Sequence, residues 1–331
     1  MKYDPRWAPL WMVTATALAC GSSAGGDGGD GDGLSGVTFD ESDAEDLASV
    51  TVSAIDVFPR LSAAYQGIVD AIQMHDLLSS SLGAKALVEL GDIGLCSSGA
   101  SALSWDDADD DGSLSGGDST VLALANCDGE LDGTVIFRFS EVAYALTVAD
   151  VDLNVTIDDS TELPPVALEG RFRLEVNGVP GPPESAIARY LVVDPTDPES
   201  SLTASVDGQT EYRLGCFNLY FTFDLEQGSY RLRDPVAVFS IPGSGVMTME
   251  AYGLPSLVFE NGDYPSSGEL SFSAQSGVLP CTALDISSEG VDSNDSVIAL
   301  TATGGGAVTL DGETVDGTPF MIETTWDALR R

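Results

Sequence analysis

Basic side chains and histidine are scarce in this sequence. Its 331 residues include 13 lysines and arginines against 53 aspartates and glutamates, which gives a formal net charge of −40, and His75 is the only histidine. Nucleic acids and anionic membrane surfaces bind proteins through cationic side chains that displace counterions, so the composition argues against both as partners. Zinc hydrolases that bind their metal through a cluster of histidines are therefore not expected, and a lone histidine in a helical segment is more often a surface residue than a catalytic base. Cations are therefore the natural partners of the chain.

Motifs of the common enzyme classes are also absent. The sequence has no GxxxxGK[ST] phosphate loop and no CxxC pair. The GxSxG pattern at residues 21–25 lies in a segment that can form neither the strand nor the helix that a nucleophile elbow needs. With 53 acids in the chain, no carboxylate pair stands out as the acid and base of a glycosidase. The sequence therefore predicts a protein that is not an enzyme.

The N-terminus has the pattern of a bacterial lipoprotein signal peptide over residues 1–19. Lys2 and Arg6 precede an apolar run, Trp7 to Ala19, that is too short to span a bilayer as a permanent helix. Residues 17–20, Ala-Leu-Ala-Cys, resemble a lipobox, although the leucine stands two rather than three positions before the cysteine. Cys20 is therefore the predicted lipid-carrying residue. An ordinary secretory signal cut nearby is the alternative.

Residues 20–39 are predicted to form a flexible tether, because glycine, serine and aspartate dominate them. No aspartate directly follows Cys20. The resemblance to diderm lipoproteins then implies transport to the outer membrane rather than retention on the inner one. We therefore expect a domain that its lipid holds on the outer membrane.

A helical segment is predicted over residues 40–83. Ser42 to Glu45 form a capping box, and the apolar residues after it recur at helical spacing, namely Leu47, Val50, Ala54 and Phe58. Pro59 is predicted to end this helix, with a second helix from about Arg60 to Leu78. On the second helix, an apolar stripe that should be buried is formed by Leu61, Tyr65, Ile68, Val69 and Ile72. We expect the whole segment to pack on one side of a sheet.

Residues 84–331 are predicted to form a mainly β domain, a many-stranded antiparallel sheet that is either open and curved or a sandwich. Apolar and polar residues alternate in the stretches around Leu153, Phe172, Phe221 and Phe272. Turn dipeptides punctuate this region, namely Asn177-Gly178, Asp207-Gly208, Asn261-Gly262 and Asp311-Gly312. Strands do not alternate with long helices, so an α/β enzyme core is not expected.

Beyond Cys20 the sequence contains Cys96, Cys127, Cys216 and Cys281. In an exported chain this even set predicts two disulfides, with three possible connectivities. We favour a bridge between Cys96 and Cys127, because it would clamp both ends of an acidic loop. Cys216 and Cys281, the other two cysteines of this set, would then form the second disulfide.

The acidic loop at residues 107–118 fits the calcium-binding loop of an EF-hand. Carboxylates stand at positions 1, 3, 5 and 12 of the template, and Gly112 supplies the sharp turn at position 6. The predicted ligands are the side chains of Asp107, Asp109, Asp111 and Asp118, the backbone carbonyl of Ser113, and Ser115 directly or through water. The alternative is a solvated acidic turn.

Two features of this loop predict a structural role for calcium. Asp118 is shorter than the usual closing glutamate, so we expect weak affinity, on the order of 10⁻⁴ to 10⁻³ M. The flanking residues, Ser101–Trp105 and Ser119–Ala125, have the character of strands rather than of the paired helices that open in a sensor. The loop should therefore hold structure in place rather than switch it.

The loop and its surroundings resemble a loose group of exported bacterial proteins, many of them lipoproteins, of uncharacterised function. The resemblance rests on WDDADDDGSLSGGDS, ALANCDGELDG, DGETVDGTPF and TTWDAL, and covers roughly Cys96 to the C-terminus. The group shares an Asp-rich loop, a following Asn-Cys, Leu-x-Gly turns and a Trp-containing C-terminal strand, matched here by Asn126, Cys127, Gly133 and Trp326. The resemblance implies export and an all-β body, and it implies no reaction.

The function expected from these observations is that of a calcium-stabilised structural or binding module of the cell envelope. Its partner would be an envelope protein, glycan or lipid that meets its acidic face. One alternative is a carrier that holds a lipid or other apolar ligand in a groove of the sheet, and a filled interface between sheet and helix would argue against it. A carbohydrate-active hydrolase is a further alternative, which needs two carboxylates facing each other across a cleft.

Replacing Cys20 with serine should release the protein from membranes, because the acyl chains that hold it there would be lost. The check is the distribution of wild type and Cys20→Ser between the membrane and soluble fractions of the expressing bacterium. Ser22→Ala, a change beside the same site, should leave the protein in the membrane fraction. A Cys20→Ser protein that still sediments with membranes would show that the lipidation assignment is wrong.

Overall fold

The computed structural model describes most of the chain beyond residue 40. The described residues are 41–79, 87–143, 146–158, 165–177, 186–191, 201–206, 210–224, 229–241, 245–250, 257–260, 264–275, 297–314 and 317–330. The predicted signal peptide, lipidation site and tether lie outside these residues. So do Cys281, Gly178 and the turn dipeptides at residues 207–208 and 261–262.

A long helix precedes the strands and a short helix follows them. Helix α1 spans Glu41–Ser79 and helix α2 spans Trp326–Leu329. The strands are β1 (Leu87–Asp92), β2 (Ala100–Asp106), β3 (Ser119–Cys127), β4 (Leu131–Val142), β5 (Thr147–Ile157), β6 (Val166–Asn177), β7 (Ala186–Leu191), β8 (Leu202–Val206), β9 (Thr210–Asp224), β10 (Ser229–Ile241), β11 (Gly245–Glu250), β12 (Leu257–Phe259), β13 (Pro265–Gln275), β14 (Val297–Gly304), β15 (Ala307–Glu313) and β16 (Pro319–Thr325).

These strands form an antiparallel sheet in which neighbours follow chain order almost throughout, and this confirms the predicted fold class. Strands β7 and β8 share one position between β6 and β9. Strands β11 and β12 share another between β10 and β13. Within the described residues, β1 and β16 are the two edges of the sheet.

Helix α1 is enclosed by the sheet over much of its length. Every residue from Leu47 to Phe58 is buried, so no face of this stretch is left to solvent. Its apolar side chains belong to the same core as the inward side chains of strands from β2 to β15. The window Ala44–Met74 is long and apolar enough to cross a bilayer, but most of it is buried inside the fold. The expectation that the helical segment packs on one side of the sheet is therefore wrong for this stretch. In the later part of α1, the predicted apolar stripe is buried at Leu61, Ile68 and Ile72 and half-buried at Tyr65 and Val69.

The prediction that Pro59 ends the first helix is also wrong, because α1 runs through it without a break. Proline lacks the N–H that would bind the carbonyl of Ile55, which ordinarily breaks or kinks a helix. The sheet supports the helix at this point. The hydroxyl of Tyr190 on β7 donates to the carbonyl oxygen of Phe58 at 2.5 Å and is hydrogen-bonded to Ser62 Oγ. Packing around the enclosed helix overrides the local breaker.

Two glycines inside strands mark close approaches between neighbouring strands. Gly133 in β4 and Gly170 in β6 have φ angles of +139° and +155°. A Cβ at Gly133 would lie 2.2 Å from the carbonyl oxygen of Asn154, and one at Gly170 would lie 1.9 Å from that of Ser201. Only glycine fits at such contacts. The expectation that the Leu-x-Gly pattern forms turns is wrong, since Gly133 lies within a strand.

Two expectations about the C-terminal region are wrong as well. Asp311 and Gly312 lie inside β15, and the chain turns later, where the Gly317 N–H donates to the Thr314 carbonyl at 2.8 Å. Trp326 begins helix α2 instead of lying in a strand, because Thr325 caps that helix: its side chain accepts from the Ala328 N–H at 3.1 Å.

Helix α2 is fixed to α1 through a buried carboxylate. Asp56 accepts hydrogen bonds from Trp326 Nε1 at 3.3 Å and from Arg330 Nη1 at 3.2 Å. Burial raises the pKa of Asp56 from its usual 3.8 to about 6, although the positive charge of Arg330 opposes the shift. Asp56 thus attaches helix α2 to the enclosed helix α1, and burial disfavours the charged form of its carboxylate.

Replacing Asp56 with asparagine should remove one component of the pH dependence of stability. Because the folded-state pKa lies above the unfolded value, Asp56 contributes stability below pH 3.8 that is lost as the pH rises through about 6. Relative to wild type, Asp56→Asn should therefore gain about 2 to 3 kcal/mol of unfolding free energy between about pH 4 and about pH 7.

Urea unfolding at both pH values measures this difference. Glu45→Gln removes an exposed carboxylate of the same helix and should show no comparable change. A constant difference between wild type and Asp56→Asn across this range would contradict the raised pKa.

Candidate metal site

The candidate metal site is a loop that joins two hydrogen-bonded strands. Strand β2 ends at Asp106 and β3 begins at Ser119, and these residues are register partners. The next pair, Trp105 and Thr120, is buried in the interior. The prediction of strand flanks is confirmed, so the loop is not set between the two helices of a calcium sensor.

Two of the predicted ligands are buried at the base of the loop. Asp107 is 3% exposed and Asp118 is 1% exposed. Asp107 lies two residues after Trp105, and Asp118 lies two residues before Thr120, so both continue the inward alternation of their strands. A buried carboxylate is costly unless hydrogen bonds or a cation compensate for its lost hydration.

Backbone amides of the loop hold these two carboxylates in place. Asp118 Oδ1 accepts from the Ala108 N–H at 2.9 Å, and its Oδ2 accepts from the Ser115 N–H at 2.8 Å. Asp107 Oδ2 accepts from the Gly112 N–H at 2.8 Å. The closing carboxylate therefore ties the beginning of the loop to its end.

Three of the predicted carboxylate ligands come together. Oxygen atoms of Asp107, Asp109 and Asp118 lie within 4.8 Å of one another. Ser115 Oγ donates to Asp109 Oδ2 at 3.4 Å, so this serine lies beside the same cluster. Hard oxygen ligands grouped in one short loop suit a divalent cation such as calcium. In the part of the chain that the structure describes, this is the one such group of potential metal ligands.

Asp111 and Ser113 are predicted ligands that this cluster of carboxylates does not include. Asp111 is exposed, and its Oδ1 accepts from the Ser113 N–H at 2.7 Å. Its own N–H lies 3.3 Å from Asp107 Oδ1 and from Asp109 Oδ1. Asp111 therefore shapes the turn on which the other carboxylates are arranged.

A disulfide brackets the hairpin that carries the loop. Cys96 is joined to Cys127, as predicted. Beside it, Asp128 Oδ1 accepts from both the N–H and the hydroxyl of Ser97, at 2.7 and 2.6 Å. The bond from the Ser97 hydroxyl holds the pKa of Asp128 below its usual value. The predicted bridge between Cys216 and Cys281 falls partly outside the described residues.

Sequence reasoning missed the contacts that attach the loop to β4. The Gly117 N–H donates to the Phe139 carbonyl at 2.8 Å, and the Phe139 N–H donates to the Asp118 carbonyl at 2.9 Å. A Cβ at Gly116 would lie 3.0 Å from the Ser140 carbonyl oxygen. The paired glycines before Asp118 were the available signal, since glycine lets two backbones approach closely.

A small apolar pocket lies between α1 and the sheet. Its volume is about 100 Å³, and its walls include Val57, Leu61, Leu122 and Val155. Arg60 also lines it and forms an ion pair with Glu130, which is buried. Sites for drug-sized ligands typically measure roughly 300 to 1,000 Å³, so this pocket fits only a small group.

Comparison of the chain with protein-family models, with curated proteins and with solved structures found no match.

Replacing Asp118 with alanine should destabilise the calcium-free protein by about 2 kcal/mol, because two backbone N–H groups would lose their acceptor. Asp109→Ala is the matched control. It removes the same charge from the cluster, but the carboxylate of Asp109 is exposed and accepts only longer bonds, of 3.3 and 3.4 Å. Urea unfolding in chelator compares the two variants, and equal stabilities would contradict the proposed role of Asp118 in the loop.

Proposed function

We propose that this protein is a lipid-anchored, calcium-stabilised structural or binding module of the outer membrane. The observation that carries the proposal is the convergence of Asp107, Asp109 and Asp118 in a loop between two strands. The disulfide that brackets this hairpin supports it.

Calcium is the cation that this cluster suits best. Neighbouring carboxylates repel one another, and a divalent cation offsets that repulsion. Calcium accepts six to eight oxygen ligands at flexible angles, so backbone oxygens and water can complete the three carboxylates. Magnesium demands nearly ideal octahedral geometry, and structural zinc sites are typically built from cysteine and histidine.

The proposed role of the ion is structural. The loop joins strands β2 and β3, which remain paired up to Asp106 and Ser119, the residues that flank the loop. The Asp118 carbonyl also accepts a hydrogen bond from the Phe139 N–H on β4. A sensor needs a pair of elements that can swing apart when calcium binds. Here the ion would instead fasten the ends of β2, β3 and β4 to one another.

Location outside the cytosol fits the same chemistry. The disulfide between Cys96 and Cys127 is a feature of oxidising compartments, and weak calcium sites belong where calcium is plentiful. The predicted lipid on Cys20 would hold the protein on the outer membrane, and the flexible tether, residues 20–39, would let the domain extend away from the membrane surface. With a net charge of −40, the domain would meet envelope partners through an acidic face.

The two alternatives have less support. A lipid carrier needs an empty apolar groove, whereas α1 fills the interior and the pocket beside it holds about 100 Å³. A glycosidase needs two carboxylates facing each other across a cleft. Outside the loop, the buried carboxylates of the described residues are Asp56 and Glu130, and both are paired with arginines of the fold.

Calcium should raise the melting temperature of the protein and EGTA should lower it. At a dissociation constant on the order of 10⁻⁴ to 10⁻³ M, about 10 mM calcium stabilises the folded state by roughly 1.4 to 2.7 kcal/mol. For a domain of this size the shift is about 2 to 5 °C. Thermal unfolding followed by circular dichroism, with and without EGTA, measures it.

Two variants make this test specific. Asp107→Asn should abolish the response to calcium, because the residue belongs to the cluster. Asp110→Asn should keep the response, because Asp110 is exposed, lies outside the cluster and has a φ of 56° that asparagine tolerates. A wild-type melt that chelator leaves unchanged would show that the calcium assignment is wrong.

A further inference from the structure

The C-terminal edge of the sheet, strand β16, is open in the described part of the structure. Strand β16 pairs with β15 on one side, and no other described strand pairs with it. Along such an edge, alternate residues direct their N–H and C=O groups away from the sheet, where they can pair with another chain. The edge therefore offers a template for one more strand.

The core-facing side chains of β16 are less buried than those of the two strands before it. Phe320 and Ile322 point to the core side but are only partly buried, and Met321 on the other face is 63% exposed. Further inside the sheet, Leu310 on β15 and Leu300 on β14 are completely buried. An added strand with apolar residues on the core side would cover the exposed parts of Phe320 and Ile322.

The outer face beside this edge is acidic. Asp311 and Glu313 on β15 and Glu323 on β16 are exposed, and Met321 is the register partner of Asp311. A second copy of this chain would bring like charges together here, whereas a basic partner would be attracted.

The opposite edge of the sheet is less suited to accept a strand. Its strand β1 is interrupted by a bulge between Glu89 and Gly91, and Gly91 has a φ of +71°. Bulges disturb the regular row of hydrogen-bonding groups that an added strand needs. By contrast, the pairing of β15 with β16 runs from Ala307–Thr325 to Glu313–Pro319 without a shift.

We propose that the edge of β16 is the docking edge of this module and that its partner is an extended, positively charged polypeptide segment. The partner would add as a strand, with apolar residues on the core side and lysine or arginine on the outer side. Backbone hydrogen bonds to β16 would provide the affinity, and the acidic side chains of β15 and β16 would select a basic sequence. This inference rests on the proposed function as a binding module of the envelope.

A synthetic peptide in which valine and lysine alternate tests the proposal. The full chain, purified in detergent, is titrated against the labelled peptide at about 0.15 M salt, and fluorescence anisotropy reports binding. Hydrogen exchange of the segment Pro319–Thr325 should slow when the peptide binds, because the outward N–H groups acquire partners. The same peptide with glutamate in place of lysine should not bind.

Matched variants separate strand addition from general attraction between charges. Glu323→Lys should weaken peptide binding about tenfold, because it replaces an attraction across the strands with a repulsion. Glu89→Lys makes the same change of charge on the exposed face of β1 and should have little effect. A fully N-methylated peptide keeps its lysines but lacks N–H donors, so it should bind much more weakly.

Three results would overturn the proposal. They are equal weakening by Glu89→Lys and Glu323→Lys, unchanged exchange of β16 on binding, and self-association of the chain that Glu323→Lys abolishes. The last would assign the edge to a second copy. Because calcium-dependent melting and membrane attachment are measured separately, a chain that keeps both but does not bind the peptide would refute the docking edge alone.

Discussion

The enclosure of helix α1 is the constraint on which the rest of the structure depends. A helix satisfies its own backbone hydrogen bonds, so it can be buried on every side if its side chains are apolar or find partners. The stretch from Leu47 to Phe58 meets this condition, because most of its side chains are apolar. Among its polar residues, Ser49 Oγ donates to the Leu329 carbonyl at 2.6 Å and Thr51 Oγ1 donates to the Leu47 carbonyl at 2.8 Å. Strands from both ends of the sheet then contribute to one core around the helix.

Burial of one carboxylate within this core connects the two ends of the described chain. Asp56 could not remain charged in an apolar interior without donors, and Trp326 and Arg330 supply them. The side chains of Trp326 and Leu329 are fully buried as well. Helix α2 is therefore part of the core rather than a tail, although it is only one turn long.

The acidic loop places several carboxylates side by side at the end of a hairpin, with Asp107 and Asp118 buried at its base and Asp109 exposed. Backbone amides at both ends of the loop and a contact to β4 position the carboxylates through protein groups alone. Such preorganisation reduces the conformational entropy that an ion would have to remove on binding. In the proposed function, calcium binds to a loop that the sheet and the disulfide already hold in place.

The sequence alone determined the features that local chemistry decides. Alternation of apolar and polar residues predicted the antiparallel strands, and the spacing of Asp107, Asp109 and Asp118 predicted the cluster, because short-range geometry fixes both. The tertiary structure decided what depends on distant partners. Pro59 continues a helix because Tyr190 and the surrounding sheet support it, and Gly133 lies in a strand because a neighbouring backbone passes close to it. The complete burial of Leu47–Phe58 and the attachment of Trp326 to Asp56 likewise depend on contacts between residues that are far apart in the chain, and local sequence patterns do not predict such contacts.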